Sequence, residues 1–116
     1  MKIGVIGSRT IKDKEWIFDV LLMRFLGKYD VEFISGGAEG VDTLVEEWCK
    51  EYNKHFHTIR PVNPKDKLSY LFRNIEIITM SDKLIAIWDK QSKGTKFVID
   101  YAKARGKDIE VITERP

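Results

Sequence analysis

Five short runs of aliphatic and β-branched residues alternate with four longer stretches whose apolar residues recur at three- and four-residue steps, and this rhythm is the strongest constraint on the fold. The short runs are KIGVIG from Lys2, VEFIS from Val31, HFHTIR from His55, KLIAIW from Lys83 and DIEVIT from Asp108, each the length of a strand. Val41, Leu44, Val45, Trp48, Cys49 and Tyr52 mark one helical face between them; Leu68, Leu71, Phe72, Ile75 and Ile78 mark another, and Phe97, Val98, Tyr101 and Ala102 a third. The stretch from Asp13 to Leu26 is apolar on more than one side, through Trp16, Ile17, Val20, Leu21, Leu22, Met23, Phe25 and Leu26. It predicts a helix that covers the sheet and also meets a second copy, so a two-fold homodimer is expected.

A strict strand–helix alternation predicts a parallel sheet, because a parallel neighbour is reached only through a crossover that lays a helix on one face. The expected fold is a single Rossmann-like α/β domain over 1–116, five parallel strands with helices on both faces. In such sheets ligands sit beyond the carboxyl ends of the strands, where the winding reverses. A strand order of 3-2-1-4-5 brings the exit loops of the first, second and fourth strands together; an order of 2-1-3-4-5 inserts the proline-bearing loop Pro61 to Lys67 among them. A ligand shared by the three loops favours the first order.

Those three loops are IGSRT, SGGAEGVD and DKQSKGT. Glycine lets a ligand approach backbone amides without a Cβ in the way, and the last two loops open directly into helices, whose first amides are unpaired and whose dipole favours anions. Phosphate is the expected guest. The usual dinucleotide and P-loop fingerprints are missing: GVIGSRT lacks G-x-G-x-x-G, and nothing reads G-x-x-x-x-G-K-[ST].

Charge and cysteine content narrow the partners. Twenty Lys and Arg against eighteen Asp and Glu leave a formal charge of +2, which argues against a polyanion, so nucleic acid is not expected as a partner. The single Cys49 rules out an intrachain disulfide and points to a reducing, cytoplasmic setting. No apolar run approaches the roughly 18 residues of a membrane helix, so no membrane partner is expected. His55 and His57 share one side of a strand without a third ligand, and no metal is assigned.

Taken together, IGSR near the start, SGGAEGVD, the RN pair at Arg73 and DKLIAIWDKQSKGTKFVIDYAKARGK resemble, in order and spacing, small domains of the SLOG superfamily in its YspA/YpsA-related branch, from Lys2 to about Ile112. The superfamily takes its name from a DNA-processing protein of natural transformation and from phosphoribohydrolases that release cytokinin bases. The resemblance implies a Rossmann-like fold, a site built from the GG and GT loops, and a nucleotide or nucleotide-derived ligand such as AMP, ADP-ribose or an NAD derivative, held by a sensor or carrier. Hydrolysis of nucleoside monophosphates is the enzymatic alternative and single-stranded DNA binding the third. The hydrolases carry P-G-G-x-G-T-x-x-E; here Gly94 and Thr95 match, the paired glycines are missing and Val98 stands where the Glu should be, on the apolar face of its helix.

The candidate ligand-binding set is therefore Gly7, Ser8 and Arg9, then Ser35, Gly36, Gly37, Ala38, Gly40, Val41 and Asp42, then Arg73 and Asn74, and finally Trp88, Asp89, Ser92, Lys93, Gly94 and Thr95. With the resemblance in hand, Arg73 is expected to pair with phosphate and Asn74 to order a loop or read a ribose. Trp88 is open between stacking on a base and core packing. Asp42 is expected to cap its helix or hold a ribose hydroxyl, and with Glu39 it is a weak candidate for acid–base work, while Glu46 is expected to close a capping box with Thr43. A nucleotide ligand is expected and no other cofactor is assigned.

Overall fold

The computed structural model of the chain describes residues 1–113. Five strands, β1 (Lys2–Gly7), β2 (Glu32–Ser35), β3 (His55–Thr58), β4 (Lys83–Trp88) and β5 (Ile109–Thr113), alternate with four helices, α1 (Lys14–Phe25), α2 (Val41–Glu51), α3 (Lys67–Met80) and α4 (Lys93–Ala104). The strands form one parallel sheet in the order β3-β2-β1-β4-β5, as the alternation and the shared-loop argument predict. Its register aligns Gly7 with Ile87 and Ser35 with Thr58, so the chain leaves the sheet at nearly one level along its carboxyl edge.

Side chains of successive strand residues point to opposite faces, and the apolar runs fill both. On one face Ile3, Val5, Phe33, Ile85 and Ile87 pack with Ile17 and Leu21 of α1 and Val45 and Trp48 of α2; on the other Ile6, Ile34 and Leu84 pack with Ile77 and Ile78 of α3 and Val98 and Ala102 of α4. Phe33 sits edge-on between Phe25 and Trp48, with ring centroids 5.0 and 5.4 Å away. Burying side chains of this size contributes about 1.5–3 kcal/mol each.

Two local details refine the reading of the sequence. Trp16, Phe18 and Leu22 of α1 pack against the core, so the apolar excess that suggested a dimer face shrinks to the exposed Met23 and Leu26. The Thr43–Glu46 capping box does not form, because α2 already begins at Val41 behind Gly40. Thr43 Oγ1 instead donates to Ala38 O at 2.9 Å, and Glu46 Oε1 accepts the hydroxyls of Ser35 and Thr58. None of the helices is long and apolar enough to cross a membrane among the described residues.

Gly40 joins the second loop to the first. Its φ is +80°, and a Cβ there would lie 2.5 Å from the carbonyl oxygen of Arg9. That obstacle is backbone and cannot rotate aside. Gly40→Ala is therefore expected to cost roughly 2–4 kcal/mol of stability in urea unfolding, the sum of a conformation L residues avoid and an overpacked loop contact. A loss below about 0.5 kcal/mol would mean the two loops are free to part.

Candidate functional site

The exits of β1, β2 and β4, with α3 as the far wall, enclose a cleft of about 470 Å³. Of the residues predicted from sequence, Gly7, Arg9, Gly36, Ala38, Asp42, Arg73, Asn74, Asp89, Ser92, Gly94 and Thr95 line it. The others are near but turned to different tasks. Ser8 and Ser35 are buried: Ser8 Oγ accepts the Asp89 N–H at 3.0 Å and Ser35 Oγ donates to Glu46. Val41 is core and packs directly on Gly7. Gly37 and the exposed Glu39 line an adjoining cavity, and Gly40 locks the loops. Trp88 is outside the lining, its indole Nε1 donating to Ser92 O at 3.0 Å, and Lys93 is exposed beyond it.

Arg73 reaches the cleft from α3 and is only 8% exposed. Its Nη1 donates to Gly36 O at 2.6 Å and its Nε to Asn74 Oδ1 at 2.8 Å, two of the five N–H groups a guanidinium carries. Gly36 permits this approach, since a Cβ there would fall 2.6 Å from Arg73 Nη1. The Arg73 guanidinium also lies 5.4 Å from the centre of the Tyr70 ring, and that of Arg9 lies 5.7 Å from the same ring. Burial lowers the Arg73 pKa, and the neighbouring Arg9 and Arg60 add to the effect against the pull of Asp42.

Two carboxylates that line the same cleft are shifted in opposite directions. Asp42 is pushed up to about 6 by burial, against the opposing pull of the Ala38 amide and Arg73. Its Oδ2 accepts the Ala38 N–H at 3.1 Å, while Oδ1 is buried with no hydrogen-bonding partner among the described residues. Asp89 is held down at about 2, first by the Thr10 hydroxyl at 2.6 Å and further by the Gln91 and Ser92 amides at 2.8 and 2.7 Å. The expectation that the loop amides all point outward unpaired is thus corrected for Ala38, Gln91 and Ser92, and for Thr95, whose N–H is capped by Ser92 Oγ at 3.3 Å. Asp and Ser at these positions bond amides two to four residues away and satisfy them locally. What stays open to a ligand is cationic: Arg9, Arg73 and the start of α4 at Gly94, where nothing lies within 4 Å of an added Cβ.

Sequence reasoning missed Tyr70, Thr10 and Gln91 in the cleft and Arg60 in the adjoining cavity. Tyr70 had a signal: it precedes Arg73 and Asn74 by three and four positions, which puts all three on one face of α3.

No protein-family model matches the chain, and no curated protein is similar to it in sequence. Solved structures are similar in fold. DNA processing protein A from Helicobacter pylori, described for its single-stranded DNA binding mode, matches at TM-score 0.78 and 24% identity over 99% of this chain and 66% of that one. DNA processing protein A (DprA) from Streptococcus pneumoniae matches at 0.82 and 17% over 98% and 50%, and the structural-genomics target TM1055 at 0.70 and 24% over 93% and 71%. This chain therefore spans about two thirds and one half of the two DNA-processing proteins. At these identities the likeness shows the fold, which is the fold the motif resemblance implies. The exclusion of nucleic acid on net charge is overturned: a protein sharing this fold over nearly the whole chain is described as binding single-stranded DNA. The reason lies in averaging, for Arg9, Arg60 and Arg73 converge at one edge of a chain whose total is +2.

The raised Asp42 pKa fixes the sign of a pH effect. A folded-state value of about 6 against an ordinary 3.8 means the folded chain binds this proton more tightly, so stability falls as pH rises through that window and is level above it. Relative to Asp42→Asn, the wild-type chain should lose about 2–3 kcal/mol between pH 3 and pH 7 in urea unfolding. A difference between the two that does not vary with pH would show that the Asp42 carboxylate is not desolvated.

Proposed function

We propose that the cleft binds the phosphate of a nucleotide or nucleotide-derived ligand, such as AMP, ADP-ribose or an NAD derivative, and that the chain acts as a sensor or carrier of it. The observation that carries this reading is the buried Arg73, pinned by Gly36 O and Asn74 and paired with Arg9 around the Tyr70 ring, in the cleft that the start of α4 also lines. A guanidinium already held in place loses little freedom when it takes a phosphate, and each charge-assisted bond is worth about 1.5–3 kcal/mol.

Hydrolysis is less well supported. Val98, at the position of the hydrolase Glu, is fully buried. Asp89 has its oxygens engaged by Thr10, Gln91 and Ser92, and Asp42 is 5% exposed with Oδ2 held on the Ala38 amide. Single-stranded nucleic acid is the second reading, favoured by the cluster of three arginines and by the description of the Helicobacter pylori protein. It presents the same phosphate and base, with more than one unit engaged.

Gly94 separates a ligand role from a structural one. Open space surrounds its missing Cβ, so Gly94→Ala should stabilise the free protein by about 0.5–1 kcal/mol through helix propensity. The same methyl projects where a phosphate would approach, and should weaken binding several-fold. Thermal shifts with AMP, ADP-ribose, NAD and a single-stranded oligonucleotide measure both, since a ligand at a hundred times its Kd stabilises by about 2.7 kcal/mol. No shift with any of them, or equal shifts in the variant, would defeat the reading.

A further inference from the structure

The main cleft continues past Gly36 into a second cavity of about 300 Å³, lined by Arg9, Arg60, Arg73 and Tyr70 and by Pro61 and Pro64. The glycine pair stands between the two spaces, and its consecutive carbonyls each accept a guanidinium. Gly36 O takes Arg73 Nη1 at 2.6 Å, and Gly37 O takes Arg60 Nη1 at 3.3 Å. The fit is close on both sides: a Cβ on Gly37 would lie 2.8 Å from Arg60 Nη1, as one on Gly36 would lie 2.6 Å from Arg73 Nη1. Two cations from different elements, α3 and the β3 exit, are thus fastened one residue apart on the same loop.

Three guanidiniums line this cavity against one carboxylate, the exposed Glu39. Such a cluster repels itself, and an anion relieves the repulsion. The walls say more about the guest. A bare phosphate has no use for the apolar faces of Pro61 and Pro64, whereas a nucleoside lays its base or sugar on such faces.

Building on the nucleotide reading above, we propose that the Arg60 cavity is a subsite for a second nucleotide unit. The ligand is then at least two phosphate-linked nucleotides, with one phosphate at Arg73 and the next at Arg60. Either a free dinucleotide or one step of a single strand supplies this chemistry.

The test compares AMP, the 5′-phosphorylated dinucleotide pApA and a six-residue oligoadenylate by calorimetry, on the wild-type chain, Arg60→Ala and Arg60→Lys. Arg60 is exposed, and thermal melting checks that each variant stays folded. The dinucleotide should bind roughly ten- to a hundredfold more tightly than AMP. Arg60→Ala should bring it down to the AMP level and leave AMP within twofold of wild type, while Arg60→Lys, which keeps the charge and loses the fork, should fall between. A hexamer tighter than pApA and steeply salt-dependent identifies a strand as the source, and equal affinity identifies a free dinucleotide; both agree with the subsite. AMP binding with no gain for pApA, or an equal loss of AMP and pApA affinity in Arg60→Ala, overturns the second subsite and leaves the first intact. Binding of none of the three probes overturns the nucleotide reading and the subsite with it.

Discussion

A buried cation reaching across the end of the sheet organises the carboxyl edge. Arg73 comes from α3 on one face and ends on Gly36 O in the loop leaving β2, so it ties a helix on one face of the sheet to that turn. An isolated buried charge is costly, and breaking the partners of one is more costly than the pair itself is worth. Here the cost is offset by the Gly36 carbonyl, the Asn74 side chain, the face of Tyr70 and the nearby Asp42. Those contacts dictate much of the neighbourhood: position 36 must lack a Cβ, Asn74 must follow Arg73, and Tyr70 must lie one helical turn earlier. A cation so held stays beside the cleft whether or not anything is bound.

The topology was legible because one physical rule fixes it. Period-2 runs of strand length separated by period-3.6 stretches leave few arrangements, and strand alternation alone puts Ile3 and Val5 on one face and Ile6 on the other. The glycines were legible as a place, though not as a set of tasks. Gly40 meets the Arg9 carbonyl, Gly36 meets Arg73 and Gly94 meets nothing, and a linear sequence cannot say which glycine faces protein and which faces space. Trp88 and Tyr70 exchanged prominence for the same reason. The tryptophan next to the loop spends its N–H on that loop, while the tyrosine that enters the cleft comes from a helix whose approach depends on packing.

Net charge misled because it is a sum and binding is local. Lys96 with Asp100 and Arg24 with Glu110 pair away from the cleft, so they enter the total without lining it. Arg9, Arg60 and Arg73 come from three different loops or helices, and only the sheet order brings them to one edge. A basic stripe can be read from sequence when it runs along a single helix; one assembled from the β1 exit, the β3 exit and α3 cannot.

The amides were the other overestimate, and their fate bears on what the site can do. Asp42 and Asp89 each fold back onto the loop that carries them, so the backbone conformation of both turns is set internally, without a bound anion. Turns built this way are stiff in the free chain, and a stiff rim around a pinned cation is suited to recognition, because little order remains to be imposed on binding. It is poorly suited to proton transfer. A general acid or base must reach the reacting atom, and these carboxylates are engaged or buried before a ligand arrives. The two aspartates therefore act on the proposed function from behind: they shape the turns and tune the field, and the arginines and the open start of α4 are left to meet the phosphate.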